Sequence, residues 1–581
     1  MTFHAPVTDL ACALQAAGCS QLAAHAFPDL DDETVAAILD AAGTFAAEVL
    51  APLNRSGDLE GARRVDGRTI APSGFSEAYR QFSQQGWTSL SAEVQHGGQG
   101  LPKALELAVF EVFHAANPAF ALCPMLTLGA IEALSLHGSA RQQALVLPKL
   151  VSGAWTGTMN LTEPQAGSDL STLTTRADPD GQGGYRLTGE KTFISWGDHD
   201  MAENICHLVL ARTPGAPPGV KGISLFLATQ IRLNDDGSLG ERNTLGAASI
   251  EHKLGIHGSP TCVMVFDGAQ AELVGELGQG LAHMFAMMNA ARLQIGASGV
   301  GVAERAFQRA LTYSQERRQG RSVWSAEVPA AIYDHPDVRR TLALMKAKIA
   351  AARGVCLTTA IQADLARFAQ TPQDQASARA RQELLTPIAK AWSTEVGVEV
   401  ASSGVQIHGG MGFVEETGAA QHYRDARIGP IYEGANGIQA IDLVTRKIQR
   451  DQGAAMGLLC AEIDDIAAAL VQAQEFSAAG RRLLAANAAL RRATAWLLAN
   501  PGEASLAAAT PYLQLCGDVI GGWALARQAL GAPPTHPADR QGRISLLQVF
   551  ASQVLTLAEG LAETVCDGAG DLADLPHLCA H

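Results

Sequence analysis

A change of texture in the middle of the chain constrains its fold more than any other feature. From about Thr156 to Asp267 the sequence breaks into short apolar runs, among them Tyr185-Arg-Leu-Thr-Gly, Cys206-His-Leu-Val-Leu, Ile223-Ser-Leu-Phe-Leu and Thr261-Cys-Val-Met-Val-Phe. Gly, Pro, Asn and Asp separate them, and runs of this kind between turn formers read as strands. On both sides Ala and Leu dominate while aromatics make up only 5% of the chain, a mixture that favours helix because such side chains lose little rotamer freedom there. A small β domain set between helical lengths is therefore expected.

The helical pattern resumes near Gly280. Val300, Ala303, Phe307, Ala310 and Ser314 form one stripe, and Leu342, Met345, Ile349, Ala352 and Cys356 form another after His335-Pro336. Steps of three and four residues place each set on one buried helix face, and Pro336 suits a first helical position. Beyond Arg450 further helices are expected near 478–499, 505–530 and 544–566, broken at Pro501-Gly502 and at Gly531-Ala-Pro-Pro. The 581 residues suffice for about three to five domains at ~100–200 residues each. Four are read here: helical 1–155, β 156–279, a helical bundle 280–450, and an appended helical domain 451–581.

Charge and cysteine usage narrow the function. With 43 Lys and Arg against 58 Asp and Glu the formal charge is −15, so a phosphate backbone is repelled unless a local basic patch overcomes the field. The residues after Arg450 hold thirteen Asp and Glu, seven Arg and no Lys, so the tail is acidic as well. No uninterrupted apolar run reaches the ~18 residues that read as a membrane span. The ten cysteines contain no C-x-x-C pair, and no basic segment leads into an apolar core at the N-terminus, which fits a reduced, cytoplasmic protein. No His, Cys and carboxylate set has metal-ligand spacing, so no metal is expected.

Two segments place glycine, hydroxyls and carboxylates where propensity alone does not. In Leu161-Thr-Glu-Pro-Gln-Ala-Gly-Ser-Asp169 small residues let backbone amides approach a ligand while Thr162 and Ser168 both donate and accept; a turn with local capping reads equally well. In the second, Gln406-Ile-His-Gly-Gly-Met-Gly-Phe413 precedes Ile431-Tyr-Glu-Gly-Ala-Asn-Gly-Ile-Gln439. A carboxylate between Tyr432 and Gly434 in an apolar stretch suits a general base, and it also suits a solvated or capping glutamate.

Taken in chain order, these segments closely resemble the acyl-CoA dehydrogenase family. Further matches are Lys191-Thr-Phe-Ile-Ser195, Lys253-Leu-Gly-Ile256, Arg292, Tyr313-Ser-Gln-Glu-Arg317 and Tyr423-Arg-Asp-Ala-Arg427, so the likeness spans about 40–450. It implies a mostly α fold with a helical N-terminal domain, a β-barrel-like middle domain and a C-terminal four-helix bundle. It also implies bound FAD, an acyl-CoA substrate oxidised to the trans-2-enoyl thioester, and electron-transfer flavoprotein as electron acceptor.

Carried over residue by residue, the resemblance makes Glu433 the base that takes the α-proton while the β-hydrogen leaves as hydride to flavin N5. Relatives with the base on an earlier helix hold it just before the arginine matched by Arg292, where this chain has Asn289, Ala290 and Ala291. Leu161, Thr162, Gly167, Ser168, Phe193 and Ser195 match flavin contacts. Arg317, Gln406, Gly409 and Gly410 match contacts to the FAD diphosphate and adenosine of a neighbouring subunit. Ser168, Arg292, Tyr432 and Gly434 match the substrate side. Glu163 and His408, though tempting acid–base groups, fall at structural positions of the family pattern.

The chain departs from that pattern at Ala435 and Gly437, where hydroxyl and longer polar side chains are usual, and from Arg318 through Val328-Pro329 to His335-Pro336, where it carries an insertion. The insertion, the Ala5-Pro-Val-Thr-Asp-Leu start and the extra domain resemble the large bacterial subgroup that includes 3-methylmercaptopropionyl-CoA dehydrogenases, which implies a homodimer. Acyl-CoA oxidases share an extra helical domain. DNA-binding stress-response relatives share a C-terminal extension, which the acidic tail here argues against. Short, medium and methylthio-propionyl thioesters all remain open as substrates.

Overall fold

The computed structural model describes residues 3–531 and 537–568. Two compact units are present: Met1–Gly43 with Lys103–Ala115 and Ile295–His581, and Thr44–Pro102 with Ala116–Gln294.

The second unit contains the expected β domain. Strands Arg176–Pro179, Tyr185–Ser195, Thr261–Val274, Ile223–Thr229 and Asn204–Arg212 pair in a ring, because Thr261–Val274 bonds Tyr185–Ser195 along its first part and Ile223–Thr229 at its end. Leu245–Ile250 and Trp155–Asn160 extend the sheet from either side of that ring. Closure leaves few sheet edges, and inward residues such as Leu187, Val209, Phe226, Met264 and Phe266 fill the interior. Lys191-Thr-Phe-Ile-Ser195 forms the second half of the strand Tyr185–Ser195. Around the barrel stand Phe75–Gln84, Pro118–His137 and Ala140–Val151. Asn117 caps the second of these by accepting from Phe120 N–H, and Ser139 with Gln142 forms a capping box on the third.

In the first unit the long helices Gly280–Glu316 (from Ile295 onward), Pro336–Phe368 and Pro372–His408 build the bundle. Every member of the two stripes read from sequence is buried, and Pro336 opens its helix. A Cβ on Gly299 would lie 2.7 Å from the Ser393 carbonyl, so this glycine allows Gly280–Glu316 and Pro372–His408 to cross backbone to backbone. Charge is buried here too: Arg353 bonds Glu111 and Glu304, and Lys346 joins Glu304 to Asp9.

The appended helices are Ala454–Gln472, Ser477–Ala499, Ala509–Gly531, Pro537–Gln553 and Ala558–Asp567. The first was missed in the sequence. The span 505–530 proves to be Ala509–Gly531 preceded by the short Glu503–Ala507, and 544–566 is interrupted at Leu555–Leu557. The expected break at Ala532-Pro533-Pro534 lies outside the described residues. Gly517 and Gly521 pack on the Trp392 ring, whose Nε1 donates to Asp518 at 3.0 Å, so a bundle residue anchors the appended domain. Among the described residues, helical spans 32–60, 118–137 and 539–567 are long and apolar enough to cross a membrane by length and composition, and the second is mostly buried within the protein.

Candidate active site

The predicted site residues fall on both units, and each half has its own architecture. In the β-containing unit the Leu161–Asp169 loop leaves the Trp155–Asn160 strand. Glu163 and Ala166 exchange backbone hydrogen bonds at 2.9 Å, closing a tight turn over Pro164-Gln165. The Glu163 carboxylate lies inside, 3% exposed. It accepts from Thr174 N–H and Oγ1 at 2.6 and 2.8 Å, from Thr175 N–H and Oγ1 at 3.0 and 2.6 Å, and from Lys191 Nζ at 2.8 Å. Lys191 also donates to the Leu161 carbonyl at 3.0 Å, and Thr192 N–H to the Thr162 carbonyl at 2.9 Å. Burial alone would push the Glu163 carboxyl up, but the Lys191 ammonium and these bonds outweigh it and hold it down to about 2. Glu163 is thus a clamp that ties the loop to the Tyr185–Ser195 strand, in agreement with its structural reading.

That clamp presents a ligand-facing surface. Phe193 has φ +60° and is 63% exposed, although it lies within a strand. A left-handed backbone costs a non-glycine residue roughly 1–2 kcal/mol, so an aromatic held there and turned outward calls for a partner. Thr162, Ser168 and Ser195 offer hydroxyls without a hydrogen-bond partner among the described residues. The space where a Cβ on Gly167 would stand is open. Bare hydroxyls and an exposed aromatic fit a flat, hydrogen-bonding heteroaromatic ring such as a flavin. Arg292 is 7% exposed, with Nη1 3.3 Å from Asn289 Oδ1 and its guanidinium over the Phe285 ring; this is a buried cation. Lys253 Nζ donates to the Ser259 carbonyl at 2.8 Å.

In the bundle unit the Gly429–Asn436 turn carries Glu433. Tyr432 N–H donates to the Ile428 carbonyl and Asn436 N–H to the Pro430 carbonyl. Glu433 has φ +55° and Gly434 +89°, two consecutive left-handed residues, which leave the glutamate half-buried. Burial and the neighbouring Glu433 charge push the Tyr432 phenol up, against a hydrogen bond with Ser298.

Three residues missed in the sequence hold this turn. Lys390, fully buried, donates to the carbonyls of Gly429 and Gly434 and to Asn436 Oδ1, each at 2.9 Å. Asn436 Nδ2 donates to Glu395 Oε1 at 2.8 Å and to Ala391 O and Thr394 Oγ1 at 3.1 Å. Gln439 Nε2 reaches the Gly434 carbonyl at 3.4 Å. The signal was a lone lysine in the apolar run Pro387-Ile-Ala-Lys-Ala-Trp392, since a buried ammonium must find acceptors.

Gln406, Gly409 and Gly410 lie at the exposed end of Pro372–His408, where Gly409 has φ +59° and added Cβ atoms on either glycine would meet nothing. Arg317 is exposed just beyond Gly280–Glu316. An exposed guanidinium and uncovered backbone suit a diphosphate. His408 is buried, with Nδ1 2.7 Å from the Gly404 carbonyl and its ring stacked on Tyr313, which is the packed role expected of it.

Comparison with known proteins decides what this arrangement belongs to. Sequence profiles match in chain order: acyl-CoA dehydrogenase N-terminal domain over 32–154, middle domain over 158–269, C-terminal domain over 278–448, and acetyl-CoA dehydrogenase C-terminal like over 459–576. A 3-methylmercaptopropionyl-CoA dehydrogenase of Ruegeria pomeroyi is 45% identical over 573 residues, covering 96% of each chain. The chain belongs to the acyl-CoA dehydrogenase family. A butyryl-CoA dehydrogenase of Syntrophomonas wolfei is 34% identical over 86% of this chain and 84% of its own. The fold is that of the crystal structure of Caenorhabditis elegans ACDH-11 in complex with C11-CoA, with TM-score 0.79, 22% identity and coverage of 95% and 92% of the two chains. As a family member with an extra C-terminal domain, this acyl-CoA dehydrogenase is an FAD-dependent oxidoreductase, and the resemblance and fold class read from sequence both hold.

Proposed function

We propose that this enzyme converts a short acyl-CoA thioester, 3-methylmercaptopropionyl-CoA first among those to be tried, into the trans-2-enoyl-CoA. Glu433 removes the α-proton. The carrying observation is this carboxylate, half-buried on a left-handed turn that a fully buried lysine anchors. Its backbone amide is assigned to the thioester oxygen, where negative charge develops and a fixed donor acts most strongly. Thr162, Ser168, Phe193 and Ser195, with the backbone at Leu161 and Gly167, hold the flavin; Arg317, Gln406, Gly409 and Gly410 hold the diphosphate and adenosine of the FAD in a neighbouring subunit. Arg292, Tyr432, Gly434 and Ser168 line the acyl-CoA. When bound, FAD supplies the two-electron acceptor for the hydrogen that leaves Cβ.

Electron-transfer flavoprotein is the proposed acceptor of those electrons, and the proposed state is a cytoplasmic homodimer. The substrate choice is supported by the likeness to the Ruegeria enzyme, and the partner and assembly by the family pattern. Anaerobic mixing with 3-methylmercaptopropionyl-CoA and a chain-length series, read as flavin bleaching, tests the reaction and ranks the substrates. Glu433→Gln is expected to keep FAD and thioester binding while losing reduction by roughly 10³–10⁴-fold; near-normal reduction would remove Glu433 as the base. Reoxidation by air at catalytic speed would make the enzyme an oxidase instead.

A further inference from the structure

We propose that Lys390 is a positioning residue for proton abstraction, fixing where the Glu433 carboxylate stands; the inference rests on Glu433 being the base. Lys390 sits one turn before Thr394 on Pro372–His408, and its side chain is fully buried. Its ammonium has three donors, and three acceptors lie at 2.9 Å: Gly429 O before the glutamate, Gly434 O directly after it, and Asn436 Oδ1 beyond. The bonds therefore bracket Glu433 on both sides.

Glu433 and Gly434 hold left-handed angles of +55° and +89°, a pair a glutamate does not adopt unaided. Turning the Glu433–Gly434 segment back to right-handed angles would swing the Gly434 carbonyl off Lys390 Nζ. The same rotation would redirect the glutamate side chain and the amide assigned to the thioester oxygen. Asn436 completes the lock, because its Oδ1 takes the lysine while its Nδ2 donates into Pro372–His408 at Ala391, Thr394 and Glu395. The two bonding sets tie the turn to one helix that Gly299 lets approach its neighbour closely. A buried charge costs free energy unless it is well paired, and here three acceptors of the turn that bears the base lie within bonding distance of the ammonium.

The test uses FAD-loaded wild type, Lys390→Met, Asn436→Ala and Glu433→Gln. Each is mixed anaerobically with whichever of 3-methylmercaptopropionyl-CoA and butyryl-CoA bleaches the wild-type flavin faster. The limiting reduction rate and the thioester Kd are read separately, and amide hydrogen exchange is followed over the whole bundle, including the turn at 428–437. Lys390→Met is expected to lower the limiting rate about 100-fold, the scale of an ångström-level misplacement of a reacting group, with Kd within about twofold and faster exchange confined to the turn. A limiting rate close to wild type overturns the proposal. So does a rate loss accompanied by an equal loss of binding and faster exchange throughout the bundle, since that marks a merely structural lysine. If Lys390→Met fails to retain FAD, Asn436→Ala decides, because it keeps the cation and removes one of its acceptors: a drop of about tenfold is expected, and an unchanged rate overturns the proposal. Glu433→Gln separates the two assignments. Normal reduction in that variant removes the base itself, whereas its loss beside a normal Lys390→Met removes only the positioning role.

Discussion

Replacing Glu163 with glutamine changes almost no volume but removes the charge on which the Leu161–Asp169 loop hangs. The carboxylate takes five bonds of 2.6–3.0 Å from Thr174, Thr175 and Lys191. In one orientation an amide turns its nitrogen towards Thr175 N–H and Lys191 Nζ, in the other towards Thr174 N–H and Gln165 Nε2, so two contacts become donor against donor while the threonine hydroxyls can turn to accept. Lys191 is 0% exposed and loses its anionic partner in either orientation, while keeping the Leu161 carbonyl. Breaking one side of such a pair costs about 3–5 kcal/mol, whereas replacing both sides by apolar groups of similar volume costs far less.

Urea unfolding of Glu163→Gln at pH 7 should therefore show a loss of that size. The double variant Glu163→Leu with Lys191→Met should be more stable than the single one. The pH dependence gives an independent reading. The carboxyl is held down to about 2 from an ordinary 4.5, so its contribution is present in full above the ordinary value and is lost as pH falls through the lower one. Burial pulls the Lys191 ammonium down to about 8, so both groups are charged at neutral pH. The gap between wild type and Glu163→Gln should hold from pH 5 to 7 and narrow towards pH 2. A gap under about 1 kcal/mol at pH 7, or one that does not move with acid, would refute the account of the clamp. FAD affinity should fall with it, since the same loop carries Thr162 and Ser168.

Phe193→Gly removes a strained aromatic at φ +60°. The relieved backbone strain roughly offsets glycine's extra chain entropy, so apoprotein stability should change by less than about 1 kcal/mol. FAD Kd should rise about tenfold for the lost ring packing; unchanged FAD affinity by fluorescence titration would show that the ring does not pack on the flavin. Burial pushes the Asp518 carboxyl up to about 6 despite bonds from Gln514 and Trp392. Its favourable contribution is thus complete below the ordinary carboxylate value and lost as pH rises through 6. Asp518→Asn should accordingly stabilise by about 1–3 kcal/mol at pH 8 and by much less at pH 4; equal melting shifts at the two pH values would contradict this.

The parts of the fold that show in the sequence are those where the apolar residues keep one spacing. The stripes Val300–Ser314 and Leu342–Cys356 are legible because large side chains recur at helical spacing, even though both helices are buried nearly all round over 300–307 and 349–361, and the barrel is legible because Gly and Pro punctuate its strands. Ala454–Gln472 was missed because it stands among other Ala-rich helices, and alanine fits both a buried and an exposed face, which blurs the periodicity. The interruption at Leu555–Leu557 likewise carries no Gly or Pro to mark it.

The site divides along a different line. Thr162, Ser168 and Glu433 can be picked out because polar groups sit in glycine-rich turns where packing has no use for them. Lys390 and Asn436 cannot be picked out that way, because a hydrogen bond across 46 residues, from Lys390 to Asn436, leaves no periodicity. What remains visible is a conflict: an ammonium in an apolar helix. A buried cation with no acidic neighbour at helical spacing must find its acceptors in a distant turn, and turns rich in uncovered carbonyls are those that glycine allows. Pairing such a lysine with the chain's Gly-rich segments links Pro387-Ile-Ala-Lys-Ala-Trp392 to Glu-Gly-Ala-Asn-Gly, the turn that carries Glu433.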